Sequence, residues 1–143
     1  MSEPDWIGST LAAELEAIIA REREDGKVAR HVTLLGLLDS WRGLVEQVER
    51  GYDESVYEYA NDVDSRKILD RVGRAAPERA RDALVSWLRP WDERYDRATV
   101  RATAPFHGRA DPNSPYAASP WHWRIPRLLV GELRSDLKDM GLA

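Results

Sequence analysis

The chain has 143 residues, 43% of them apolar and 32% charged, with six Trp, five Tyr and one Phe. That composition supports a single packed domain and excludes wholesale disorder. The absence of Cys excludes a disulfide framework, thiolate catalysis and Cys-based zinc sites, and the formal net charge of -4 disfavours broad binding to nucleic acid or anionic membrane.

In chain order, residues 1–8 read as an irregular arm. The opening Met1-Ser2-Glu3-Pro4-Asp5 is acidic and carries no apolar run, so no signal peptide is expected and a cytoplasmic location follows as the expectation. No stretch approaches the ~20 apolar residues of a membrane span. Ser9 or Thr10 caps a first helix to about Glu24, with Leu11, Leu15, Ile18 and Ile19 on one face; Trp6 is out of phase and anchors the arm.

A second helix is expected from about Ala29 to Arg50, closed by Gly51, its inner face formed by Leu34, Leu37, Leu38, Trp41, Leu44, Val45 and Val48. Beside that face runs a stripe of small residues, Thr33, Gly36, Ser40 and Gly43. Glycine inside a helix costs about 0.5–1 kcal/mol relative to Ala, so close approach of another helix is the expected reason for the two glycines.

From Glu54 to about Gly73 the helical phase breaks. Val56, Tyr59, Ala60 and Val63 face one way, and Ile68, Leu69 and Val72 almost the other. Two short helices with a bend near Asp62 to Ser65 are predicted, the first capped by Asp53. Pro77 suits the first position of a further helix. Ala80, Leu84, Trp87, Leu88, Trp91, Tyr95 and Ala98 stay in phase across Pro90, which predicts one continuous helix. A last helix is expected from Pro126, with Leu129, Val130, Leu133 and Leu137 inward.

Residues 101–125 lack helical pattern and hold four prolines, yet Phe106, Tyr116, Trp121 and Trp123 argue for an ordered loop. Alternation in Val100-Ala104 and in Trp121-Ile125 admits a small antiparallel ribbon. The expected fold is therefore an all-α bundle of five or six helices in one domain, 1–143, with a long Pro-rich loop before the last helix.

Charge is polarised along the chain. Residues 1–64 hold 6 Lys/Arg and 15 Asp/Glu, whereas residues 65–143 hold 15 and 10. The halves are expected to lie against each other and largely neutralise. Within the acidic half, Glu54, Glu58 and Asp62 recur at intervals of four, beside Tyr52, Tyr57 and Tyr59. Like charges so spaced destabilise a helix by roughly 0.2–0.5 kcal/mol per pair. A solvated face is the plain explanation; the functional one is a docking surface for a basic protein partner, in which aromatic rings add contact area.

A second group, His107, Arg109, His122 and Arg124 between the walls Trp121 and Trp123, has the chemistry to hold an anionic small molecule or to supply a general base. The plainer expectation is that the Trp side chains pack on the bundle while His122 and Arg124 face water. No glycine-rich phosphate loop, nucleophile motif or metal-ligand spacing is present in the sequence, so no cofactor and no metal are expected. The Trp87, Trp91 and Tyr95 ladder is expected to be core. Weighed together, these features favour a non-enzymatic protein-interaction module, of adaptor, inhibitor or immunity type, docking through Tyr52, Glu54, Tyr57, Glu58 and Asp62. The alternative is a ligand-binding or hydrolytic protein built on the loop His and Arg residues.

Overall fold

The computed structural model describes residues 3–106 and 119–143, and shows an all-α bundle with one small sheet. Four long helices make the body: α1 (Thr10–Glu24), α2 (Leu34–Arg50), α3 (Val56–Ala75) and α4 (Glu78–Ala98). Strand β1 (Thr99–Arg101) pairs antiparallel with β2 (Arg124–Pro126), with Val100 opposite Ile125. A 3-10 turn, Pro120–Trp123, leads into β2, and α5 (Gly131–Asp139) closes the chain. No helix among the described residues is long and apolar enough to cross a membrane.

Helix α2 is the hub. Its seven inward residues, Leu34 through Val48, are all buried, and it packs on α1, α3 and α4. It starts at Leu34 and not near Ala29, because Thr33 caps it by accepting the Gly36 backbone N–H at 3.0 Å. The small-residue stripe does not mark a close helix crossing. A Cβ on Gly43 would meet nothing within 4 Å, and one on Gly36 would touch only its own cap, Thr33. From the stripe, Ser40 Oγ accepts an inter-helix hydrogen bond from Ser65 Oγ at 2.8 Å. Gly43→Ala is therefore expected to stabilise the protein by about 0.5–1 kcal/mol, read as a raised urea midpoint with unchanged slope.

Helix α3 runs unbroken, so the predicted bend at Asp62 to Ser65 does not occur. Its buried stripe passes from Val56, Tyr59 and Val63 through Ser65 and Arg66 to Leu69, Val72 and Gly73. The phase is continuous once the two polar members are counted. Ser55, and not Asp53, caps the helix by accepting from Glu58 N at 3.2 Å. The Val56 N–H is taken by the Asp136 carboxylate of α5 at 2.9 Å.

Helix α4 continues through Pro90 as expected. Trp87, Trp91 and Tyr95 are buried, which makes the ladder core. The last helix starts five residues later than Pro126, which instead ends β2 opposite Thr99. Leu129 bridges to Tyr52, and Gly131, at φ +56°, lies where a Cβ would come within 2.7 Å of the Asp53 side chain. Glycine is required there both for the backbone angle and for the close approach. The acidic and basic halves do meet across the bundle, through Glu22–Arg71, Glu49–Arg94 and Asp64–His122.

Candidate functional site

The start of α3 carries the acidic surface. Glu54 and Glu58 are exposed, and Tyr57 is 77% exposed, the most open of the large apolar side chains described. Because α3 begins at Val56, Glu54 precedes the helix and only Glu58 and Asp62 form an i,i+4 pair within it. Glu58 lies in the first turn, where the helix dipole stabilises negative charge. That offsets part of the repulsion that made the acidic run look costly.

Two of the five residues expected on this surface are committed inward. Tyr52 is 1% exposed, packs edge-on against Tyr59 with ring centroids 5.2 Å apart, and donates its hydroxyl to Asp62 Oδ2 at 3.0 Å. It lies between helices, where no periodicity signals which way it points. Burial and the neighbouring Asp62 charge keep its hydroxyl protonated well above the ordinary tyrosine range. Asp62 is half-buried beneath it. What faces water is Glu54, Tyr57 and Glu58, joined by Asp53.

Burial holds the Asp62 carboxyl above the usual range, against the opposing pull of the Tyr52 hydrogen bond, and the charges of Glu54 and Glu58 push the same way as burial. The folded state therefore binds the proton more tightly than the unfolded chain, and stability falls as pH rises through the folded pKa. Asp62→Asn keeps an oxygen acceptor for Tyr52 and removes the charge. Urea midpoints should show the variant at least as stable as wild type near neutrality, with the gain vanishing below about pH 4, where both forms are neutral.

The second group is dispersed. His107 and Arg109 lie outside the described residues. His122 does not face water: it is 0% exposed, with Nδ1 2.6 Å from Ser119 Oγ and Nε2 3.0 Å from Asp64 Oδ1. A carboxylate only accepts, so Nε2 carries a proton, and in the neutral ring Nδ1 accepts from the Ser119 hydroxyl. The expected extended run Trp121-Ile125 is strand only from Arg124; the preceding 3-10 turn rotates His122 inward.

Its neighbours are occupied as well. The Trp121 ring is covered by the Arg66 guanidinium at 4.3 Å, and Trp123 by that of Arg101 at 4.6 Å. Arg124 donates to Thr99 Oγ1 at 2.8 Å and to the Asp96 carbonyl at 3.0 Å. The Tyr59 hydroxyl donates to the Arg124 carbonyl at 2.9 Å, and that of Tyr95 to the Trp121 carbonyl at 3.1 Å. These contacts make the 119–126 segment a clasp on α3 and α4.

Ser119, His122 and Asp64 have the composition of a hydrolytic triad, which sequence reading did not assemble. Burial runs in the wrong order for one. Ser119 is buried and the Asp64 side chain is 32% exposed, whereas acyl transfer needs an open hydroxyl and a sheltered carboxylate. None of the described cavities is lined by Ser119 or His122. Among the described residues no cluster of three or more His, Asp or Glu is arranged to hold a metal ion. Comparison with family models, with curated proteins and with solved structures gave no match to this chain.

Proposed function

We propose that the chain is a non-enzymatic protein-interaction module whose docking surface is the exposed start of α3. The observation that carries this reading is Tyr57: an aromatic side chain held open on a regular helix, flanked by Glu54 and Glu58. A rigid aromatic ring amid fixed negative charge matches a basic, Arg-rich protein, whose guanidinium groups pair with carboxylates and stack on the ring. Tyr52 and Asp62 support this face from beneath. Adaptor, inhibitor and immunity-type roles in the cytoplasm all fit such a surface.

The test uses the immobilised full chain against lysate of its source, at low and high salt, with Glu54→Lys/Glu58→Lys and Tyr57→Ala run beside it. All three substituted positions are exposed, so the helical circular dichroism should be unchanged. One stoichiometric protein is expected on wild type at low salt, strongly reduced at high salt and absent from the charge-reversed variant. Identical capture by wild type and both variants would remove this surface from the function.

A further inference from the structure

The N-terminal arm and α4 enclose a cavity of about 490 Å³, a volume within the ~300–1,000 Å³ of small-molecule sites. Its walls are Pro4 and Trp6 from the arm and Trp87 and Pro90 from α4, and Glu3 and Asp5 share the lining. The arm is held locally: the Pro4 carbonyl accepts from Ile7 N at 3.2 Å, and the Trp6 carbonyl from Ser9 N at 3.1 Å. Pro4 is buried and Trp6 packs against the core, so this wall is anchored on the bundle.

Three observations give the cavity a chemical preference. Glu3 and Asp5 are the charged side chains of its lining; both are exposed, and neither has a basic partner among the described residues. No Lys, Arg or His lines it. The two indole rings, Trp6 on the arm and Trp87 at 9% exposure on α4, favour a cation over an anion by their ring quadrupoles. Finally, Pro90 lies inside α4 and has no N–H, so the carbonyl of Ser86, which also lines the cavity, lacks its helical donor.

We propose that this cavity binds a small primary ammonium ion with an apolar body. The body lies among Trp6, Trp87 and the prolines, and the charged end is met by Glu3 and Asp5, with the Ser86 carbonyl as an uncharged acceptor. The site shares no residue with the start of α3, so it stands or falls independently of the docking surface.

The test is an amide-shift titration of the full chain with 2-phenylethylamine hydrochloride at neutral pH, where the amine is protonated, at ionic strength held constant with sodium chloride. Its near-isostere 2-phenylethanol, which has the same body without the charge, is titrated beside it. Saturable shifts at Asp5, Trp6, Ser86 and Trp87 are expected with the amine, at concentrations where the alcohol gives none. Glu3→Gln/Asp5→Asn keeps side-chain shape at two exposed positions, and unchanged Ile7 and Ser9 amides would show the arm intact. That variant should weaken the amine about fivefold, as expected for two exposed carboxylates. Absence of saturable shifts at these amides, equal binding of amine and alcohol, or unchanged amine affinity in the folded double variant would each overturn the proposal.

Discussion

Asp92→Ala should lower stability by about 3 kcal/mol. One carboxylate serves two buried elements. Asp92 Oδ1 accepts from Trp41 Nε1 at 3.0 Å, and its two oxygens accept from Arg66 Nε and Nη2 at 2.9 Å each. Removing it leaves a fully buried indole N–H without an acceptor and a nearly buried guanidinium without a counter-charge. Breaking a buried pair costs roughly 3–5 kcal/mol; the Asp92 side chain is 28% exposed, so water reaches it and the lower end applies. For a domain of this size the melting midpoint should fall by about 10 °C. Arg66→Met in the Asp92→Ala background should recover part of the loss, since the stranded charge is gone. A double variant as unstable as the sum of the singles would show that the stranded charge is not the source of the cost.

That carboxylate also shows where sequence reading stops. In α1, α2 and α4 the buried stripe is almost wholly apolar, so period and phase were legible, including continuity across Pro90. In α3 the stripe passes through Ser65 and Arg66, and a reading that follows only apolar residues sees a break there. Arg66 is buried because Asp92, twenty-six residues on, meets it. No local pattern announces such a partner.

The same holds for the candidate surfaces. Tyr59 reads as inward from its helical phase with Val56 and Val63, and Tyr57 as outward, and both lie so. Tyr52 lies between helices, without a period to assign it a side. For the clasp, the alternation that suggested a ribbon placed Val100 and Ile125 correctly in register. It could not place His122, whose orientation depends on a turn and on Asp64, fifty-eight residues away. Ser119 and Asp64 would have been found only by asking what a histidine between two tryptophans bonds to once it is buried.

His122→Ala is expected to cost about 3 kcal/mol, the usual range for deleting a large buried side chain together with its hydrogen bonds. The imidazole fills space beside Phe106, with ring centroids 5.4 Å apart, and joins Ser119 of the turn to Asp64 of α3. Its backbone carbonyl accepts from Phe106 N at 3.0 Å, while Ala102 N donates to the Trp123 carbonyl at 2.7 Å. Loss of the ring should therefore loosen the clasp before the bundle. Amide hydrogen exchange is the decisive reading: protection at Ala102, Phe106 and Arg127 should drop well below that of the α2 core in the variant, whereas in wild type the gap is narrower. Asp64→Asn separates charge from geometry. It keeps an oxygen acceptor for Nε2 on a side chain that is one-third exposed, so its cost should be below about 1 kcal/mol. Ser119→Ala removes one buried hydrogen bond and should cost about 1–1.5 kcal/mol. If Asp64→Asn proved as damaging as His122→Ala, the clasp would depend on an ion pair and not on the buried ring, and the order of these three variants decides between the two.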